Sequence, residues 1–211
     1  MPFRSLIFDF DGTLADTIEE ARNIFNQLAP EYGLREIEQG EITGLRHLSL
    51  KQLLHRLDIS KRHVPALLAR GTSMLRRRIV RMPLIDGMTH VLPDLRRHAS
   101  SFGILTSNAQ DNVDLFLRAH GLRGLFSFIS STSKLTGKAK HLRAIRKTFS
   151  MESDQMLYIG DEIRDIRAAR KAGIAVAAVT WGFNSPEALS KERPDFLLES
   201  PEELLKLVDH P

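Results

Sequence analysis

Cysteine is absent from the 211 residues, which excludes disulfides, thiolate nucleophiles and cysteine-ligated metals. Long apolar runs are missing as well. Nothing approaches the ~20 residues that a membrane span needs. In the opening MPFRSLIFDFDG, acids break the apolar run too early for a signal peptide. A cytoplasmic protein with no membrane partner is expected. Charge of one sign is also scarce: 30 Lys and Arg face 26 Asp and Glu, a surplus too small for a nucleic-acid footprint. The densest basic run, RRRIVR at 76–81, reads as the solvated face of a helix. What remains is an ordinary globular composition, 42% hydrophobic and 27% charged. The length suits one domain, or one domain carrying a small insert.

Short apolar runs alternate with helical patterns over most of the chain. Residues 4–10, 101–108, 125–130, 155–161, 174–182 and 195–198 read as strands, and runs this continuously apolar suit a parallel sheet covered on both faces. Between them, Val113, Phe116, Leu117 and His120, then Leu142, Ile145 and Phe149, then Ile163, Ile166 and Ala169, recur at helical spacing. Gly121 and Gly173 stand where helices end, and PEELLKLV reads as a closing helix. Repeated strand–helix units predict a doubly wound α/β fold. The interval 17–83 differs, with leucine-rich helical stripes and no convincing strand, the last stripe broken at Gly71. It is expected to be an all-helical cap inserted into an α/β core formed by 1–16 and 84–211, with two neighbouring connections near 14–17 and 82–87. Pro93 falls inside a helical pattern and is expected in a first turn or at a kink.

The stretch LIFDFDGT places Asp9 and Asp11 at the end of an apolar strand. Two such carboxylates repel each other and are costly to desolvate, so something must compensate for them. Ligands bind beyond the carboxyl ends of strands in open α/β sheets. Other polar groups stand at equivalent places: Ser107 and Asn108 after the second strand, Asp161 and Glu162 after the fourth, and Lys138 at the start of the helix after the third. Side chains two apart on a strand share a side, so Asp9 and Asp11 face one ligand while Phe8 and Phe10 turn inward. Gly12 permits the sharp turn that follows. An all-oxygen nest without His or Cys favours Mg²⁺ over zinc. Cation, lysine and the donors of Ser107 and Asn108 together describe a seat for a tetrahedral dianion such as phosphate.

DFDGTLADT, LTSN, Lys138 and GDEIRDIRAARKAG, in that order, resemble the haloacid dehalogenase superfamily. The likeness runs from end to end and is closest to its phosphoglycolate phosphatase-like branch with a helical cap. The resemblance implies roles. Asp9 would be the nucleophile that forms an aspartyl-phosphate, and Asp11 the general acid and then base. Lys138 would neutralise nucleophile and phosphate. Ser107 and Asn108 would hold the phosphoryl oxygens, with Thr13 beside them holding the turn and orienting Asp11. Asp9, Asp161 and the backbone carbonyl of Asp11 would hold Mg²⁺. Asp165, one helical turn beyond Asp161, would orient Lys138 or a metal-bound water. Glu162 stands where the family more often has Ser or Thr, as a supporting ligand or a solvent-facing residue at a helix start.

The resemblance also implies that the cap selects the leaving group. In ITGLRHLS (42–49), Arg46 is the residue suited to a carboxylate or a second phosphate, and His47 is expected to be structural or exposed. Trp181 and Phe183 either line the crevice or pack in the core. The expected activity is Mg²⁺-dependent hydrolysis of a small phosphorylated metabolite by a monomer or homodimer. A phosphomutase, or a phospho-accepting module without turnover, would use much the same residues.

Overall fold

The computed structural model of the protein describes residues 3–132 and 137–208. Six strands, β1 (Ser5–Phe8), β2 (Ser101–Thr106), β3 (Phe128–Ser131), β4 (Met156–Gly160), β5 (Ala175–Val179) and β6 (Phe196–Leu198), form one sheet in the order β3-β2-β1-β4-β5-β6. All five pairings are parallel. The chain steps outward from β1 to β3, then crosses to the other side of β1 and continues through β4. Sheet order therefore reverses beside β1, and a reversal of this kind opens a crevice at the strands' carboxyl ends. Phe8 pairs with Ile104 and Ile159, so Asp9 leaves the sheet at that reversal.

Among the described residues, five α-helices lie between β1 and β2: α1 (Ile18–Leu28), α2 (Ile42–Leu45), α3 (Leu50–Arg56), α4 (Val64–Arg76) and α5 (Met88–His98). Four follow β2: α6 (Gln110–Ala119), α7 (Lys138–Thr148), α8 (Ile163–Ala172) and α9 (Pro186–Lys191). Strand alternation sorts the core into two layers. Leu6, Phe8, Leu157 and Ile159 join Val91, Leu95 and Phe116 of α5 and α6 on one face. Ile7, Met156 and Tyr158 join Leu142, Ile145, Ile166 and Ala169 of α7 and α8 on the other. This is the doubly wound sheet expected from the apolar runs. Phe8 meets Phe102 at 5.0 Å between ring centroids, and burying one such ring contributes about 1.5–3 kcal/mol. Among the described residues, no helix is long and apolar enough to cross a membrane.

The strands are shorter than their apolar runs because hydrophobicity continues where the ladder stops. Phe10 and Leu14 follow β1 and are fully buried without belonging to it. The two chain crossings into 17–83 touch: Asp16 N–H donates to the Pro83 carbonyl at 2.9 Å, and Ile85 N–H to the Leu14 carbonyl at 2.8 Å. Ile24, Leu28, Leu75 and Ile79 join the same apolar cluster as the sheet. Three details depart from the sequence reading. α4 runs unbroken through Gly71, which faces Ile24 of α1. Pro93 lies in the second turn of α5, not the first. Residues Pro201–Leu207 form a 3-10 helix.

Candidate active site

The turn after β1 wraps around one carbonyl: Phe10 O accepts from the N–H groups of Thr13, Leu14 and Ala15 at 3.2, 2.9 and 3.0 Å. Gly12 makes this possible at φ +73°, and a Cβ there would run into the Asp161 carboxylate. The turn after β1 thus comes close enough to the end of β4 for the acids of both strands to gather. Asp9 is 2% exposed. Its Oδ1 accepts the Phe10 N–H at 2.8 Å, and its Oδ2 meets Lys138 Nζ at 2.5 Å. Lys138 also reaches Asp165 Oδ1 at 2.6 Å, and it lies under the Tyr158 ring, whose hydroxyl donates to the Leu105 carbonyl at 3.1 Å. Asp165 Oδ2 accepts the Glu162 N–H at 3.1 Å, so one carboxylate both caps α8 and holds the lysine. Of the lysines near the third strand, Lys140 is exposed and Lys134 lies outside the described residues. Lys138 is the one in the site.

Asp11 is held from β2: Asn108 Nδ2 donates to both of its oxygens at 3.1 Å. Asn108 is itself fixed, since its Oδ1 accepts from Ala109 N–H at 2.8 Å and from Asn112 Nδ2 at 3.0 Å. Thr13 is directed to the acid after β4 rather than to Asp11. Its hydroxyl donates to Asp161 Oδ1 at 2.7 Å, and Phe183 N–H donates to Asp161 Oδ2 at 2.7 Å. The oxygens drawn together within 4.8 Å belong to Asp9, Glu162 and Asp165, while the Asp161 carboxylate is turned toward Thr13 and Phe183.

Five carboxylates, Asp9, Asp11, Asp161, Glu162 and Asp165, share this region with the charges of Lys138 and Arg164. Burial pushes Asp9 up to about 7, because one ammonium shared with Asp165 cannot offset desolvation at both. Burial alone would pull Lys138 down, but the carboxylates of Asp165 and Asp9 outweigh it and hold the ammonium above its ordinary value. Burial also raises Asp11, against the pull of Asn108. Asp161 is raised well above the carboxylate range, by burial first and then by Glu162, Asp9 and Asp165. Hard oxygen donors with uncompensated negative charge fit a divalent cation of the magnesium type.

A cavity of about 340 Å³ opens over the acids. Asp11, Ser107, Asn108, Glu162 and Arg164 form its polar end, and leucines of α3 and α4 its apolar wall. Phe183 lines it, while Trp181 packs on the core and donates its indole N–H to the Thr13 carbonyl at 3.2 Å. A larger cavity of about 970 Å³, between α3 and α9, contains none of the clustered aspartates. Ser107 lines the 340 Å³ cavity, with its Oγ 3.4 Å from Arg164 Nη2.

Arg46 is elsewhere. Its guanidinium donates to the Thr180 carbonyl at 2.9 Å, and its carbonyl accepts from Ser185 N–H and Asn184 Nδ2, both at 2.9 Å. It does not line the cavity, so the side chain expected to meet substrate instead ties α2 to the loop after β5. His47 joins the same seam, with Nδ1 2.8 Å from Ser185 Oγ.

The sequence reading missed Arg164 and Asn184. Arg164 was accessible to it: α8 starts at the carboxyl end of β4, so its first turn faces the crevice. Asn184, twenty residues further along in a loop, gave no such signal. It accepts the Ile163 N–H at 2.9 Å and donates to the Arg46 and Leu48 carbonyls.

The family model described as haloacid dehalogenase-like hydrolase matches residues 6–179, from β1 to the end of β5. The chain belongs to the haloacid dehalogenase-like hydrolases. As a member of that family it is an enzyme of the hydrolase class. It is 35% identical over 205 residues to a phosphoglycolate phosphatase of Synechococcus elongatus, covering 97% of each chain. It is 24% identical to the pyrophosphatase PpaX of Oceanobacillus iheyensis over 99% of this chain and 98% of the other. A solved haloacid dehalogenase-like hydrolase from Streptococcus pneumoniae superposes with a TM-score of 0.81 at 24% identity, covering 97% of both chains, a likeness of fold.

Proposed function

We propose that this haloacid dehalogenase-like hydrolase is a magnesium-dependent phosphatase of a small phosphomonoester, acting through an aspartyl-phosphate on Asp9. The observation that carries the reading is the ammonium of Lys138, buried between Asp9 and Asp165 next to an Asp11 held by Asn108. One carboxylate is thereby poised beside a fixed positive charge, and a second, raised in pKa, stands ready to give up a proton. The phosphatase names among the relatives point the same way.

In the first step, an Asp9 oxygen forms a bond to phosphorus as the bond to the leaving oxygen breaks, and Asp11 protonates that oxygen. In the second, Asp11 takes a proton from water, whose oxygen bonds to phosphorus and releases Asp9. Lys138 offsets the repulsion between nucleophile and phosphate. Ser107 and Asn108 supply donors to the phosphoryl oxygens. Asp9, Asp161 and the backbone carbonyl of Asp11 would hold Mg²⁺, with Glu162 and Asp165 close by. Bound there, the ion would neutralise the clustered carboxylates and the charge on the phosphoryl oxygens. Residues 17–83 act as a cap over a core of 1–16 and 84–211, and their leucines exclude water from the cavity.

An aryl phosphate assay tests this reading. Hydrolysis is expected with Mg²⁺, to fall by more than about 100-fold in excess chelator, and to return when Mg²⁺ is restored. Equal rates with and without the chelator, or no turnover under either condition, contradict it.

A further inference from the structure

We propose that Arg164 is the residue that binds a carboxylate on the leaving group, so that the substrate is a short phosphorylated carboxylic acid; this assignment rests on the phosphatase reading above. Arg164 is the only cationic side chain among the described residues lining the 340 Å³ cavity. Its guanidinium is anchored along one edge. Nε donates to Glu162 Oε1 at 2.8 Å, and Nη2 donates to the same oxygen. The opposite edge is uncommitted. Beyond its bond to Glu162, Nη2 makes a long contact to Ser107 Oγ at 3.4 Å, and Nη1 is buried with no hydrogen-bond partner among the described residues. A buried guanidinium nitrogen without an acceptor is costly, and an incoming oxyanion would remove that cost.

The division of charge decides which oxyanion. Lys138 is 1% exposed, is paired with Asp9 and Asp165, and serves the phosphoryl group. Arg46 is bound to the Thr180 carbonyl and does not line the cavity. Among the described residues lining the cavity, Arg164 is thus the group left to meet a second negative charge. The buried, unpaired Nη1 and the second hydrogen of Nη2 form a planar fork, which matches the two oxygens of a carboxylate once the side chain turns that edge to the cavity. Glu162 already offsets part of its charge, so the site suits a monoanion better than a second phosphate dianion. Ser107, beside both Arg164 and the phosphoryl end, sets the two anions a few bonds apart. The leucines of the opposite wall offer a second anion nothing.

The test compares 2-phosphoglycolate with ethyl phosphate, of similar size but without the carboxylate, in wild type, Arg164→Met and Arg164→Lys. Wild type is expected to prefer the carboxylated ester. Arg164→Met should lower kcat/KM for phosphoglycolate by roughly 10- to 100-fold, mainly through KM, and change ethyl phosphate by less than about 3-fold. Arg164→Lys keeps the charge beside Glu162 without the fork and should recover part of the preference, which guards against a folding defect. Calorimetry in an Asp9→Asn background, where turnover is blocked, should show the same loss of phosphoglycolate affinity. Equal losses on both esters, no loss on either, or a wild-type preference for pyrophosphate over phosphoglycolate overturns the carboxylate assignment and leaves the phosphatase reading standing. If wild type with Mg²⁺ hydrolyses none of these compounds, both readings fall.

Discussion

Asp9→Asn is expected to lower kcat by on the order of 10⁴-fold or more while the protein stays folded. The two halves of that expectation have different sources. Turnover is lost because an amide oxygen is a poor nucleophile, and no neighbouring carboxylate occupies the same place between Lys138 and the Phe10 N–H. Stability is kept because the amide retains the shape and can still accept that N–H. The removed charge is also one that burial disfavours, as the rise of Asp9 to about 7 shows. Steady-state kinetics with the aryl phosphate, beside thermal unfolding of the same preparation, checks both halves. A variant within tenfold of wild type would place the nucleophile elsewhere.

Lys138→Met is expected to fail in the opposite pattern, losing stability as well as activity. The ammonium is 1% exposed and stands 2.5 Å from Asp9 and 2.6 Å from Asp165. Removing one partner of a buried ion cluster leaves the others uncompensated and typically costs about 3–5 kcal/mol. Here two carboxylates are stranded. Denaturant unfolding should show a loss of that size, and turnover should fall by roughly 10³-fold in whatever fraction remains folded. An unchanged unfolding midpoint would mean that Lys138 is not the charge that stabilises the pair. The contrast between the two variants separates a residue that reacts from one that both holds the site together and assists the reaction.

Much of this site could be read from residue order. An apolar run ending in two acids and a glycine located the lip of the sheet, and period-two alternation correctly turned Phe8 and Phe10 into the core. The acid and lysine at later strand exits fell into place because the parallel sheet brings all such exits to one edge. What could not be read were choices made by tertiary packing. Gly71 resembles a helix breaker, but α1 and α4 approach each other there and the helix continues. Strand ends were overextended because Phe10 and Leu14 are buried by the loop rather than by the ladder.

Side-chain partners were the least legible part. Thr13, expected beside phosphate and Asp11, spends its hydroxyl on Asp161. Arg46 has the right chemistry for an anion, but the loop after β5 offers the Thr180 carbonyl first. Arg164 sits inside the GDEIRD segment that pointed to the site, yet its position is decided by Glu162 and Ser107, which only the fold brings to it. Spacing identifies which residues can meet at a strand edge, whereas competition among nearby acceptors decides which of them do.

The stereochemical course at phosphorus tests capture by Asp9 most directly. An ester made chiral there with oxygen isotopes should be transferred twice, once to Asp9 and once to water or an acceptor alcohol, each time with inversion. Net retention in the product is the predicted result. Net inversion would mean a single direct attack by water, and Asp9 would not be the group that captures phosphorus.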